Sequence, residues 1–199
     1  MVESGIFYST VIDPVLVSMR KHVARQINHG ESVIDVACGT GAQVFEMAPV
    51  AKKVVGADLS ESMINKARKT QEKKKLDNVE FCLCDATGKL HFDDKEFDVA
   101  TMTLALHQFD PEMHSTIIGE MKRLAHRLIF IDYTFPLPKN YVGAGSKVAE
   151  FFAGREHHRN FKHYMRLGGL PALLAENNLH IKNQDFFAKG AFHLVVCLE

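Results

Sequence analysis

The feature that most constrains this chain is a fivefold alternation of short apolar runs with amphipathic stretches. Val33 to Ala37, Val54 to Ala57, Val79 to Leu83, Phe97 to Thr103 and Leu128 to Tyr133 have the length and β-branched content of buried strands. Between most of them lie segments with apolar residues at helical spacing. Val44, Phe45 and Ala48 follow Gly41. Met63, Ile64 and Ala67 follow a capping Ser60. Met113, Ile117, Met121 and Leu124 follow Asp110-Pro111. Alternation at this spacing predicts crossover units, hence a mostly parallel sheet with helices on both faces. Before the first strand, Asp13-Pro14 starts a helix with Leu16, Met19, Val23 and Ile27 on one face, closed by Asn28-His29-Gly30. The pattern changes after Tyr133. Residues 139 to 170 read as helical, Pro171 opens a short helix, and Leu179 to Phe187 and Ala191 to Leu198 read as a hairpin joined by Ala188-Lys189-Gly190.

Bulk properties narrow the class. With 199 residues the chain is long enough for one domain with a full core. Its 24 basic and 24 acidic side chains balance, so no global field favours nucleic acid or an anionic membrane. Cys38, Cys82, Cys84 and Cys197 do not form a disulfide or zinc-ribbon spacing, which suits a reduced, cytoplasmic protein. No signal peptide is expected, and no apolar run reaches the 18 or so residues of a membrane span.

The stretch Val33 to Ala48, "VIDVACGTGAQVFEMA", holds two glycines one residue apart at a strand-to-helix junction. In doubly wound sheets ligands bind at the carboxyl ends of the strands, and glycines let the backbone approach them closely. A dinucleotide or S-adenosylmethionine would suit such a loop. Val44 stands where a dinucleotide loop needs a third small residue. Asp35 would repel a pyrophosphate but suit an ammonium group. Asp58 and Asp85 end the second and third strands, where they can accept from ribose hydroxyls and from an adenine amine. The alternative for both is a cap on the following helix or turn. Three acids around one loop suit a ligand with a sulfonium and an ammonium and no phosphate.

These motifs resemble those of the class I S-adenosylmethionine-dependent methyltransferases, within them the ubiquinone and menaquinone biosynthesis methylase group. The resemblance is strong over residues 30 to 134. It implies a Rossmann-like, seven-stranded sheet with an antiparallel C-terminal strand and a helical insertion after the fifth strand. The first motif reads Asp35-Val36-Ala37-Cys38-Gly39-Thr40-Gly41, with Ala37 where the first glycine often sits. The second, "VVGADLSESMINKAR", gives Asp58 the ribose and places Leu59, Ser60 and Met63 by the adenosine. The third, "CDA", puts Asp85 and Ala86 at the adenine. The fourth, "FDVATMTLALHQF", puts Thr103, Leu104 and Ala105 under the methionine part, with His107 facing the substrate as base or hydrogen-bond donor. Tyr8 lies in an N-terminal segment that family members fold over the cofactor.

Methyl transfer from a sulfonium is an in-line displacement, so alignment matters more than a catalytic dyad. The expectation is therefore one methyltransferase domain over 1–199, with an N-terminal helical segment at 1–29 and a substrate-covering insertion at 135–170. It takes a small-molecule acceptor, with no nucleic acid or membrane partner and a homodimer through the terminal hairpin as one option. A module that binds the cofactor without transferring methyl, and an NAD-dependent oxidoreductase, are the alternatives. In "EFFAGREHHRNFKHYMRLGG", His157, Phe161 and Tyr164 share one helical face, and Arg155, Arg159, Lys162 and Arg166 another. That is either a lid with a substrate-lining face or an amphipathic helix with a solvated basic side. No metal is expected: His157, His158 and His163 lack i, i+4 spacing, and the sequence shows no carboxylate or cysteine completing a set.

Overall fold

The computed structural model describes residues 13–152 and 154–198; Tyr8 lies outside them. Seven strands form one sheet: β1 (Ser32–Val36), β2 (Lys53–Asp58), β3 (Val79–Leu83), β4 (Phe97–Thr103), β5 (Ala125–Tyr133), β6 (His180–Phe187) and β7 (Phe192–Leu198). Their order across the sheet is β3-β2-β1-β4-β5-β7-β6. The first five pair in parallel; β7 runs antiparallel to both β5 and β6. The terminal hairpin thus forms as its short link requires, and it enters the sheet with β7 inside and β6 at the edge.

Seven α-helices accompany the sheet among the described residues: α1 (Asp13–Ala24), α2 (Ala42–Met47), α3 (Glu61–Lys74), α4 (His114–Leu124), α5 (Tyr141–Phe152), α6 (Arg155–Arg166) and α7 (Gly169–Glu176). Local chemistry explains several boundaries. Ser60 caps α3 by accepting from the Met63 N–H, and Glu61 opposes the helix dipole in the first turn. Lys73 and Lys74 sit in its last turn, where cations are favoured. Asp110-Pro111 does not start α4 directly. It starts a single 3-10 turn, Pro111–Met113, which leads into His114.

Strand alternation divides the core in two. Ile34, Val36, Ala100, Met102, Leu128 and Phe130 pack against α4, α6 and α7 through Ile117, Met121, Phe161, Tyr164 and Leu173. Val33, Val54, Val99, Ile129 and Ile131 face the other way, against Met19 and Val23 of α1, Val44 and Met47 of α2, and Ile64 and Ala67 of α3. Each such fully buried aliphatic or aromatic side chain contributes about 1.5–3 kcal/mol by leaving water. The result is an α/β/α sandwich whose strand order reverses between β1 and β4, each of which sends its chain to opposite sides of the sheet. A crevice opens at such a switch point.

Candidate functional site

Register places the first acid. Asp35 pairs across β1 and β4 with Thr101, so the two side chains leave the same face side by side. The Thr101 hydroxyl donates to Asp35 Oδ1 at 2.6 Å, and both residues are buried. Burial raises the Asp35 pKa from 3.8 to about 7. The Thr101 hydrogen bond opposes that rise, and the charge of Asp58 adds to it.

The glycine loop sits directly beyond. Ala37 has φ +58°, Gly39 φ +55° and Gly41 φ +79°. The Gly39 N–H donates to Asp58 Oδ2 at 2.7 Å, while the Ser60 N–H donates to Asp58 Oδ1 at 2.9 Å. Asp58 therefore ties the loop after β1 to the loop after β2, in addition to preparing the start of α3. The two glycines serve different ends. A Cβ on Gly41 would meet the Phe81 ring at 2.6 Å, so Gly41 is needed for packing. A Cβ on Gly39 would meet nothing within 4 Å, so Gly39 faces open space, as a ligand cradle requires. Thr40 is exposed beside it. Cys38 is half-buried, and burial, followed by the charges of Asp35 and Asp58, pushes its thiol well above the usual range, which disfavours the nucleophilic thiolate.

Leu59 just after β2, Met63 on α3 and Leu83 at the end of β3 are exposed apolar side chains, at 66, 37 and 52 %. Ile64 and Ala67 are buried, whereas Met63, from the same helical stretch, stays at the surface. Asp85 is exposed and turned onto its own loop, accepting from the Thr87 N–H and hydroxyl, which hold its carboxyl below the usual range. Ala86 is half-buried next to it. Across the switch point, Thr103 carries a buried hydroxyl without a hydrogen-bond partner, Leu104 has φ +51° with its N–H on the Ile131 carbonyl, and Ala105 is buried.

His107 lies on the 3-10 turn Leu106–Gln108 and is buried beneath α5 and α6, not displayed on a loop. Its Nδ1–H donates to Asp132 Oδ1 at 2.6 Å and its backbone N–H donates to Asp132 Oδ2 at 3.1 Å. Nε2 lies 3.6 Å from Glu150 Oε1, too far for a hydrogen bond. Burial pulls the His107 pKa down, but Asp132 and then Glu150 outweigh it and lift it from 6.5 to about 9. Glu150 accepts from the Tyr133 hydroxyl at 2.7 Å, and its Oε2 is 2.7 Å from His157 Nε2. Although burial opposes ionisation, the neighbouring His107, Tyr133 and His157 hold the Glu150 carboxyl below its usual range.

This cluster corrects one expectation. The helical histidines lack a carboxylate in the local sequence, but the fold supplies Glu150 from α5 and brings His107 to meet His157. Glu150 carries no local signal, because its partners are on other elements. Asp132 does: like Asp35, it is an acid inside an apolar strand, "LIFIDY". On α6, Phe161 and Tyr164 are buried while Arg159 is exposed, so the two faces divide as their spacing predicts; Asn160 joins the buried side through Nδ2 donating to the Gln108 carbonyl.

Comparison with known proteins fits this arrangement. The methyltransferase domain family matches residues 27–169. The demethylmenaquinone methyltransferase of Lactococcus lactis is 31% identical over 149 residues, spanning 69% of this chain and 57% of the relative. That of Clavibacter sepedonicus is 32% identical over 108 residues, spanning 54% of this chain and 43% of the relative. The chain thus spans about half the length of these curated relatives. A SAM-dependent methyltransferase from Aquifex aeolicus shares the fold, with a TM-score of 0.65 at 18% identity over 90% of this chain and 88% of that one. The chain belongs to the methyltransferase domain family, in its class I, S-adenosylmethionine-dependent group.

Proposed function

We propose that the chain transfers a methyl group from S-adenosylmethionine to a small, mainly apolar acceptor. The observation that carries this reading is the Gly39 cradle: an amide fixed by Asp58, open space above the Cα, and a buried carboxylate, Asp35, behind it. These residues fit the cofactor. Asp35 would hold its ammonium, with Ala37, Cys38, Thr40 and Gly41 shaping the loop and Thr103, Leu104 and Ala105 flanking the methionine chain. Each Asp58 oxygen keeps a lone pair for a ribose hydroxyl after accepting its backbone N–H. Leu59, Met63 and Leu83 offer apolar surface to the adenine, and Ser60, Asp85 and Ala86 its polar edge. Tyr8 would close over the site. Bound S-adenosylmethionine supplies a methyl group already activated by its sulfonium.

The protein's remaining work is to exclude water and present the acceptor in line. In this reading 1–199 is one domain, and α5 and α6 are its substrate-covering insertion, with His107 on the acceptor side. A cavity of about 420 Å³ between the loop after β5, α5 and α6 is lined by Phe135, Leu137, Phe161 and Met165, with Lys147 and Lys162 at its rim. Its apolar lining suits a ring-bearing metabolite, as do the names of the two demethylmenaquinone relatives. No helix among the described residues is long and apolar enough to cross a membrane. The reading places the enzyme in the cytoplasm, without a nucleic-acid partner. Pairing of two copies through the edge strand β6 is its oligomeric option.

The test is methyl-labelled S-adenosylmethionine incubated with the protein and a panel of quinols and phenols. Label should pass to an apolar acceptor, and Asp58→Ala should weaken S-adenosylhomocysteine binding at least tenfold with an unchanged circular dichroism spectrum. A folded wild-type protein that binds neither sulfur nucleoside refutes the reading.

A further inference from the structure

Three buried donor atoms from three separate elements converge beside the sheet: His107 Nε2 from the turn after β4, Glu150 from α5 and His157 Nε2 from α6. They lie within 4.8 Å of one another. The His107 and Glu150 side chains are only 3 and 8 % exposed, and His157 is half-buried at 26 %. Yet His107 Nε2, Glu150 Oε2 and His157 Nε2 are buried atoms without a hydrogen-bond partner. Glu150 Oε2 and His157 Nε2 approach to 2.7 Å without the alignment of a hydrogen bond. Buried polar groups in native proteins are nearly always satisfied, so three orphans facing one another need a common partner.

We propose that His107, Glu150 and His157 form a binding site for one divalent transition-metal ion of the zinc class. Two imidazoles and one carboxylate are a known donor set for such ions, and they leave a coordination position open. Metal at about 2.0–2.2 Å from each donor places the donors roughly 3–3.5 Å apart; here Glu150 Oε2 and His157 Nε2 are 2.7 Å apart, and the three residues' ligand atoms lie within 4.8 Å of one another. The surroundings have the form of an outer shell. Asp132 accepts from His107 Nδ1–H, which fixes the tautomer and aims the Nε2 lone pair at the cluster. Tyr133 donates to Glu150 Oε1, which leaves Oε2 for the ion. Charge also balances once the ion displaces the His107 Nε2 proton: two buried carboxylates, Asp132 and Glu150, then face neutral imidazoles, and a divalent cation cancels both. The open position would take an oxygen of the acceptor or a water.

The experiment uses the full chain, stripped with chelator and titrated with Zn2+ by calorimetry, with bound metal counted after dialysis. One ion per chain is expected at this site. Cys82, Cys84 and His91 form a second constellation of potential ligands, so Co2+ is used as a spectroscopic probe. It should give d–d bands of a nitrogen and oxygen set, unchanged in the Cys82→Ser/Cys84→Ser variant. His157→Ala, the half-buried and least disruptive change, should weaken binding at least a hundredfold, as should Glu150→Gln. Asp132→Asn should weaken it about 10–100-fold through His107. Circular dichroism checks that each variant is folded; if Glu150→Gln is not, His157→Ala decides. No bound ion, an ion retained unchanged by folded His157→Ala, or an ion removed only by the cysteine changes with a thiolate charge-transfer band would overturn the proposal. The same metal-free sample titrated with S-adenosylhomocysteine reports separately on the cofactor cradle, so either reading can fail alone.

Discussion

Ala37 adopts φ +58°, a left-handed conformation in which a Cβ costs about 1–2 kcal/mol. The alanine fits by size, as its motif suggests, but its backbone is strained. Ala37→Gly relieves the strain at the cost of a more flexible unfolded chain. The expected net gain is about 0.5–1 kcal/mol in a urea titration, with S-adenosylhomocysteine affinity unchanged. Asp35 is the opposite case, a residue whose strain belongs to the site. Its pKa rises from 3.8 unfolded to about 7 folded because burial disfavours the charge. The folded state therefore binds the proton more tightly, and this residue's contribution to stability falls as pH rises from 3.8 to about 7. Asp35→Asn keeps an acceptor for the Thr101 hydroxyl and abolishes the charge. It should raise stability of the unliganded protein by about 1–3 kcal/mol above pH 7, flatten that slope, and weaken S-adenosylmethionine binding. Thermal melts between pH 5 and 8, paired with calorimetry, read both effects.

At the scale of elements, α6 is the piece that joins the sheet to the region beyond it. Its charged face is solvated, and its buried face reaches back to the end of β5 and to the 3-10 turn after β4. The Tyr164 hydroxyl donates to the Tyr133 carbonyl at 3.2 Å, and Asn160 Nδ2 donates to the Gln108 carbonyl at 2.8 Å. Tyr164→Phe removes one neutral buried hydrogen bond and should cost about 0.5–1.5 kcal/mol. Because the same bond fixes α6 over His107, its loss should also raise amide exchange along α6 more than along α4. Equal protection of the two helices would show that the tether is not α6's main anchor. Spacing in the sequence predicts the two faces of α6 within one helical region, 139–170, that the structure divides into α5, α6 and the start of α7. It missed that α5 precedes it with an inward acid, because Glu150 has no apolar periodicity around it to mark it as buried.

For the whole molecule, the two-sided core holds the strand ends that make the proposed cradle, and ligand binding should report on it as a unit. At a hundred times its Kd, S-adenosylhomocysteine adds about 2.7 kcal/mol to the folded state, or about 5–10 °C in Tm for a chain of this size. NADH should give no shift. A shift with NADH alone would restore the oxidoreductase alternative.

The alternation of strands and helices, the mostly parallel sheet, the terminal hairpin, and the positions of Asp35, Gly39, Gly41, Asp58 and Asp85 at or just beyond strand ends were legible without coordinates. Each depends on local pattern: periodicity, caps and glycines within a few residues of one another. Tertiary structure decided what distant residues do together. Register across β1 and β4 gave Asp35 its Thr101 partner. Parallel pairing of β4 beside β1 put Thr103 at the strand end next to the one from which the glycine loop leaves. Packing of α5 and α6 over the end of β4 gathered His107, Glu150 and His157, which stand 43 and 7 residues apart along the chain. No local signal encodes such a meeting, because the burial that gives these groups their chemistry exists only once the helices have docked.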